Sequence, residues 1–322
     1  MAEAEPRQVT VPPPAAGHRR AAVLGSPIAH SLSPVLHRAA YAALGLDGWR
    51  YDAVEVVEDE LAGFVRGLDP SWAGLSLTMP LKRAVLPLLA GRSDLAAAVG
   101  AVNTVTFPDG VPQGDNTDVH GIVAALAAAG VDRAHGVGPV AVLGGGATAA
   151  SAIAALRELG CSEPVVHVRD PTRARDLFEA ADRLGVRPRT APLDATAVAG
   201  SLGPPDGAPG APVLVSTLPA GAADALAAAL ARVPAPGAPA TPVLLDVVYA
   251  PWPTVLGTAA SAAGWRVVGG LEMLLHQAGE QVRLMTGLAA PLDEMRAAAA
   301  ARLRRAVEQP SSRTPEVPTP SA

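Results

Sequence analysis

From residue 19 to residue 305 the sequence predicts an α/β fold of two domains. Three observations carry this. Short apolar runs alternate with amphipathic helical stretches, the pattern of strands joined by crossover helices. The chain has 322 residues, a comfortable length for two domains. Hydrophobic residues make up 49% and aromatic residues only 3%, so a large core of small side chains is expected, suited to helices packed closely on a parallel sheet.

The elements follow in order. "RRAAVLG" (19–25) reads as a strand, "PVLHRAAYAALG" (34–45) as a helix and "WRYDAVEV" (49–56) as a strand. "VEDELAGFVRGL" (57–68) is a second helix, and "WAGLSLTM" (72–79) a third strand. A short helix is expected over "LKRAVLPLLAG" (81–91), then a hairpin strand in "GAVNTVTFPDG" (100–110). "VHGIVAALAAAG" (119–130) is a helix ending at Gly130, a good left-handed terminator, and "VDRAHGVG" (131–138) is a linker. A second unit starts at Pro139 with strand "PVAVLG", a glycine turn, helix "TAASAIAALRELG" (148–160) and strand "PVVHV" (164–168). Further strands are expected in "APVLVSTLP" (211–219) and "PVLLDVVYA" (242–250), with "GSLGPPDGAPGAP" (200–212) a flexible surface loop. After "WRVVGG" comes one more amphipathic helix, "LEMLLHQAGEQVRLMTG" (271–287). Both tails, 1–18 and 306–322, are rich in Pro, Ser, Thr and charge and are expected to be disordered.

The formal net charge is -5 and no basic stripe carries interleaved aromatics, which argues against nucleic acid as a partner. The single Cys161 excludes an internal disulfide, argues against a thiolate metal site and fits a reducing compartment. The first twenty residues lack an apolar core, so no signal peptide is expected. No apolar run reaches about 18 residues, so neither is a membrane span. A cytoplasmic location is the expectation. Nothing decides between a monomer and a homodimer.

"PVAVLGGGATAA" holds Gly144, Gly146 and Ala149 at G-x-G-x-x-A spacing. The spacing alone is a weak signal. Here it follows a strand, opens a helix and precedes another strand by about twenty residues, as a Rossmann-type dinucleotide-binding turn requires. Gly144 permits the tight turn, Gly146 lets the backbone approach a pyrophosphate, and Ala149 allows close helix packing. At the end of the next strand an NAD site places an acid for the ribose 2′-hydroxyl. Val168 stands there instead, followed by Arg169, with Arg173 four residues on. Two guanidinium groups suit a 2′-phosphate, so NADP(H) is favoured. Asp170 between them either serves an NAD ribose or starts the next helix.

Three polar patches interrupt the apolar elements of the first unit. "SLTMPLK" carries Thr78 and Lys82, "GAVNTV" carries Asn103, and "GDNTDVHG" places Asp118 at a helix start. Singly, each has a structural explanation: a solvated lysine, a turn former, an N-terminal helix acid. "GSPIAHSLSP" adds Ser31 and Ser33. Ser33 before Pro34 is a credible N-cap with proline at N1, which leaves Ser31 idle.

Taken together, "SPIAHSLSP", "LTMPLK", "GAVNT", "GDNTD", "GGGATA", "DVVYAPWPT" and "GLEMLLHQA" occur in the order of a known family. Over residues 20 to 290 the chain resembles the shikimate dehydrogenases. The resemblance implies reversible NADP(H)-dependent reduction of 3-dehydroshikimate to shikimate, in chorismate and aromatic amino acid biosynthesis. It implies a substrate domain of residues 19–122 completed by the C-terminal helices of 269–305, with a Rossmann-type domain, 123–268, inserted between them. Lys82 would be the acid/base and Asp118 its partner. This fits the chemistry, because hydride delivery to a ketone leaves an alkoxide that needs a proton. Ser31 and Ser33 would hold the substrate carboxylate, with Tyr249 as a third hydroxyl. Thr78, Asn103, Asp118 and Gln277 would bind the ring hydroxyls. Gly144, Gly146, Ala147 and Ala149 would cradle the dinucleotide, Arg169 and Arg173 its 2′-phosphate, and Thr217 and Gly270 would lie at its nicotinamide end.

The chain departs from the family pattern in two places. The common "NVT" before the lysine reads "SLT", with Ser76 for asparagine, and "NRT" of the cofactor strand reads "VRD". Ser33 favours shikimate, since quinate-using members tend to have threonine there. A quinate or aminoshikimate dehydrogenase and a non-catalytic NADP- or shikimate-binding relative are the alternatives. His30 is read as structural, with no acid placed to complete a triad, and His276 as a helix-surface residue. "DNTDVHG" resembles half a calcium loop, but Leu126 stands where the bidentate Glu belongs, so no metal is expected.

Overall fold

The computed structural model describes residues 18–133, 137–203, 211–230 and 241–308. They form two six-stranded sheets. The first contains β1 (Arg19–Gly25), β2 (Trp49–Glu55), β3 (Trp72–Leu77), β4 (Gly91–Arg92), β5 (Thr104–Thr106) and β6 (Gln113–Asp115), in the order β2-β1-β3-β5-β6-β4. β1 pairs in parallel with β2 and β3, and β5 is antiparallel to β3 and β6. Helices α1 (Ser33–Ala43), α2 (Glu58–Arg66), α3 (Leu81–Ala84) and α4 (Asp94–Val99) connect these strands. α5 (Thr117–Ala128) then leads to the second sheet.

That sheet contains β7 (Val140–Leu143), β8 (Val165–Val168), β9 (Arg189–Pro192), β10 (Val213–Ser216), β11 (Val243–Asp246) and β12 (Arg266–Gly269). It is parallel throughout, in the order β12-β11-β10-β7-β8-β9. This is the doubly wound dinucleotide-binding order, whose direction reverses between β7 and β10. α6 (Ala147–Glu158), α7 (Arg175–Leu184), α8 (Ala195–Leu202), α9 (Ala227–Leu230) and α10 (Val255–Ala262) cover it. Finally α11 (Gly270–Thr286) and α12 (Leu292–Glu308) return to the first unit, α11 along α5 and α12 against α1.

Small residues set these distances. α6 buries Ala149, Ala150, Ala152, Ile153, Ala154, Ala155 and Leu156, because sheet and helices enclose it on all sides. Gly121 of α5 meets α11 so closely that an added Cβ would stand 2.6 Å from the Met273 carbonyl oxygen. Asn116 bonds both the Ala101 carbonyl (2.9 Å) and Ser151 of α6 (3.2 Å), so the start of α5 is tied to both units.

Several expected bounds shift. The helix expected over 81–91 is one turn, α3, followed by a 3-10 turn at Leu86–Leu88 and the edge strand β4. Pro87 has no N–H with which to continue an α-helix. α5 begins at Thr117, and the expected domain boundary at 122 falls inside it. α8 extends to Leu202, into the expected 200–212 loop, and 204–210 lie outside the described residues. So do 134–136 of the expected linker and the tails 1–17 and 309–322, while α12 runs to Glu308. Among the described residues no helix is long and apolar enough to cross a membrane.

Behind the start of α1 lies a buried aromatic group. The His37 ring stacks on Tyr51 at 3.8 Å, and Tyr41 packs edge-on against His37. His37 Nδ1 donates to the Ser33 carbonyl at 2.9 Å, whereas Nε2 has no partner among the described residues. Burial drives the imidazole pKa down to about 4. The folded value lies below the unfolded one, so the unfolded state binds the extra proton as pH falls through 6.5 toward 4. Stability is therefore lost on acidification, by about 2 kcal/mol between pH 7.5 and pH 5 for this residue. Urea unfolding at those two pH values checks this: His37→Phe should lose correspondingly less than wild type, and equal losses would exclude His37 as the cause.

Candidate functional site

The C-terminal ends of β1 and β3, the start of α5 and one face of α11 meet at a single polar cluster. β3 ends at Leu77, Thr78 follows, and the Met79–Pro80 peptide is cis. α3 then presents Lys82, whose ammonium is paired with Asp118 in the first turn of α5. The two side chains are 13% and 5% exposed, so the pair is almost out of water yet open on the lysine side. Asn103, just before β5, donates from Nδ2 to Asp118 Oδ1 at 2.8 Å. It also donates to Thr117 Oγ1 at 3.0 Å and to Gln277 Oε1 at 3.3 Å. The structure thus brings Lys82, Asp118, Asn103 and Gln277 together, and Thr78 stands between β3 and α3 with its backbone bonded to Leu24 and Leu81. Gln277 comes from α11, so the helix that returns from the second sheet completes the cluster.

The serine segment behaves differently from its sequence reading. Leu32, not Ser33, occupies the cap position of α1, with helical φ -85° and ψ -7°. Ser33 is already the first helical residue, and the cap residue Leu32 has no side-chain acceptor to offer the helix. Starting the helix one residue early removes the expected capping role from Ser33. Ser31 is the residue in use, its Oγ accepting the Ser33 N–H at 3.3 Å, which leaves the Ser31 proton free to donate. Ser33 is buried and its hydroxyl faces the Tyr51 phenol. Burial pushes the Tyr51 pKa well up, against the opposing pull of the Ser76 and Ser33 hydroxyls. Tyr249, beyond β11, reaches across from the second unit and donates to the His30 carbonyl at 3.5 Å. Its phenol pKa is raised by burial. His30 itself is exposed, and its side chain has no part in the core, contrary to the structural role expected of it. His276 is largely covered rather than on the surface, 4.0 Å from Glu272, and burial lowers its pKa.

At the switch point of the second sheet, Gly144 has φ +109° and lies against Thr217, whose hydroxyl donates to the Leu143 carbonyl at 2.7 Å. Gly146 caps α6, with Ala147 the first helical residue and Ala149 fully buried behind it. A Cβ on Gly146 would meet nothing within 4 Å, so space is left open before the helix N-terminus. The backbone amides of the first turn face that space, a fit for an anionic pyrophosphate. Gly270 starts α11 against the end of β11, where an added Cβ would overlap the Val247 carbonyl. Val168 ends β8, and Arg169 follows, exposed. The Arg173 side chain lies outside the described residues. Asp170 takes the second of its two sequence readings. Its carboxylate accepts from the Thr172 N–H at 2.9 Å and from the Thr172 hydroxyl at 2.7 Å, and so starts the Pro171–Ala174 turn.

Tyr51, Ser76, Thr104, Thr117 and Gln281 also belong to the cluster, and sequence reasoning gave none of them a role in it beyond noting Ser76 as a departure. Tyr51 donates to Ser76 at 2.6 Å, and Ser76 to Gln281 at 2.8 Å. One signal was available: Gln281 stands four residues after Gln277 and shares its helix face.

Comparison with known proteins agrees with this geometry. A family model described as the shikimate dehydrogenase substrate binding domain matches residues 23–105, and one described as the shikimate 5'-dehydrogenase C-terminal domain matches residues 270–300. A shikimate dehydrogenase (NADP(+)) of Halobacterium salinarum is 40% identical over 283 residues, 87% of this chain and 98% of the relative. One from Oleidesulfovibrio alaskensis is 37% identical over 279 residues, covering 85% and 92%. Among solved structures, the Mycobacterium tuberculosis shikimate dehydrogenase superposes with a TM-score of 0.74 at 42% identity, over 88% of this chain and 99% of the other. The Thermus thermophilus enzyme, in complex with NADP(H) and shikimate, gives 0.70 at 33% identity, over 88% and 99%. With its sheet order, its buried lysine–aspartate pair and relatives matched along nearly their whole length, the chain belongs to the shikimate dehydrogenase family.

Proposed function

We propose that this chain catalyses the reversible, NADP(H)-dependent reduction of 3-dehydroshikimate to shikimate, with Lys82 and Asp118 as the catalytic pair. The observation that carries the reading is the pairing itself. A lysine ammonium mostly withdrawn from water, held by a carboxylate and open on one side, is placed to give a proton to a developing alkoxide and to take it back in reverse. Asp118 keeps Lys82 oriented, and Asn103 holds the other carboxylate oxygen. Thr78, Asn103, Asp118 and Gln277 bind the ring hydroxyls. Ser31, Ser33 and Tyr249 take the carboxylate, as neutral donors beside the N-terminus of α1. The substrate domain comprises residues 19–122 and 269–305 and the cofactor domain 123–268, with α5 running across the boundary as the helix that joins them.

NADP(H), when bound, supplies or accepts the hydride. Gly144, Gly146, Ala147 and Ala149 would hold its pyrophosphate at the start of α6, Thr217 and Gly270 its nicotinamide end, and Arg169 with Arg173 its 2′-phosphate. Asp170 spends its Oδ1 on Thr172, so its part in starting the turn needs no cofactor. Ser33 in place of threonine favours shikimate over quinate.

Initial rates of shikimate oxidation near pH 8 test the reading. NADP should support turnover far better than NAD, and Lys82→Met should lower kcat by about 10²–10⁴-fold while shikimate and NADP still bind. Faster turnover of quinate, or a preference for NAD, would overturn the substrate or cofactor assignment. Cofactor and shikimate binding without turnover by wild type would make the chain a binding protein.

The open space at Gly146 supplies a second test. In Gly146→Val the added Cβ meets no protein atom within 4 Å, and φ at this position is an ordinary -84°. Loss of the glycine cap should lower stability by about 1 kcal/mol, while the KM for NADP rises at least tenfold by steric exclusion. An unchanged KM would place the pyrophosphate elsewhere.

A further inference from the structure

The polar residues behind the site form one chain of hydrogen bonds with a single sense. Tyr51 donates to Ser76 at 2.6 Å, Ser76 to Gln281 Oε1 at 2.8 Å, and Gln281 Nε2 to Thr104 Oγ1 at 3.0 Å. Thr104 donates to Asn103 Oδ1 at 2.8 Å, and Asn103 Nδ2 to Asp118 Oδ1 at 2.8 Å. The other oxygen of Asp118 holds Lys82. Tyr51, Ser76, Gln281, Thr104, Asn103 and Asp118 are all buried. The chain starts beside Ser33, at the proposed carboxylate end of the pocket, and finishes at the acid/base pair.

Backbone groups fix the direction. Gln281 Nε2 also lies 3.3 Å from the Asn103 carbonyl, which only accepts, so this end of the amide must be the NH₂. Oε1 therefore faces Ser76, which must donate. Asn103 Oδ1 meets the Thr117 backbone N–H at 2.8 Å, which only donates, so Nδ2 must point toward Asp118. Gln281 is the one member that connects β3, β5 and α11, and it does so without touching Lys82 or Asp118.

We propose that Gln281 is a positioning residue for catalysis: by donating to Thr104 and accepting from Ser76 it sets the proton order that aligns Asn103 on Asp118 and so holds Lys82 for proton transfer. This deepens the shikimate dehydrogenase reading and rests on it. Ser76 carries the order forward because Tyr51 and Gln281 satisfy its hydroxyl from both sides.

Two variants test the assignment. Gln281→Leu removes donor and acceptor and should lower kcat by about 10–100-fold, within the range a misplaced catalytic group costs, with the KM for NADP unchanged. Gln281→Glu keeps the shape. Protonated, it accepts from Ser76 and donates to Thr104, preserving the order. Ionised, it only accepts, faces the Asn103 carbonyl and draws the Thr104 proton away from Asn103. Burial raises the pKa of such a carboxyl into the assay range. The Tyr51 phenol, Asp118 and Lys82 are the titratable groups closest to it along the chain of bonds. The ratio of Gln281→Glu to wild-type kcat should therefore fall with pH from 6 to 9, while the Gln281→Leu ratio stays low and flat.

A Gln281→Leu protein with wild-type kcat, or a Gln281→Glu ratio independent of pH, would overturn the proposal. If Gln281→Leu fails to fold, the pH dependence of Gln281→Glu decides alone. A wild-type chain inactive on shikimate would refute the underlying reading, an outcome distinct from active wild type with indifferent variants.

Discussion

An ammonium and a carboxylate withdrawn from water together constrain everything around them. Desolvation costs each ion several kcal/mol, and their mutual attraction offsets this only if the remaining oxygens and protons also find partners. Asp118 spends one oxygen on Lys82 and the other on Asn103. Asn103 then needs acceptors and donors of its own, which Thr117, Thr104 and Gln277 provide. Each satisfied group raises the same demand one residue further on, through Gln281 and Ser76 to Tyr51. The cluster ends where a phenol with a raised pKa can serve as a neutral donor at the last link.

This demand explains the order of the elements. Gln277 and Gln281 both lie on α11, which follows the second sheet in sequence yet packs along α5 of the first unit. Without that return, the buried Ser76 hydroxyl would lose the acceptor for its proton, at a cost of about 1–3 kcal/mol. The close approach at Gly121 is what brings α11 near enough for these amides to reach β3 and β5. Packing and polar satisfaction are therefore two aspects of one contact.

What was legible in the sequence was local. Gly144, Gly146 and Ala149 announce their turn because strand, turn and helix are contiguous. The alternating elements likewise gave both units. Lys82 and Asp118 stand 36 positions apart, and no periodicity joins them; only the resemblance did. Tyr51, Ser76 and Gln281 stayed unread because each fits its own element as an ordinary inward residue, and their meaning lies in who faces whom. The capping alternative for Ser33 fails for a subtler reason. Serine before proline is a good cap, yet Leu32 adopts helical angles first and takes the cap position. Asp170 left two roles open that only the Thr172 contacts could separate.

The contacts between the two units divide by strength. On one side α5, which leads to the second sheet, and α11, which returns from it, are packed backbone against backbone, and Asn116 is bonded to both units inside the core. On the other side α4 packs its apolar residues on α6 and α7, and polar, exposed links lie at the rim of that contact. Arg83, the neighbour of Lys82, pairs with Asp176 at 2.6 Å, with side chains 32% and 53% exposed. Arg183 donates to the Ala98 carbonyl at 2.9 Å, and Tyr249 touches His30 at 3.5 Å. An exposed ion pair contributes at most about 1 kcal/mol, whereas opening the α5–α11 seam would strip buried polar groups of their partners. The exposed links, Arg83–Asp176 and Tyr249, therefore contribute little beside the buried packing. Their side carries Lys82 on one lip and the start of α7, just after the proposed 2′-phosphate segment, on the other. The α5–α11 seam keeps the proposed acid/base pair in register with its bond chain, because Gln277 of α11 meets Asn103, the partner of Asp118, only while the two helices stay packed.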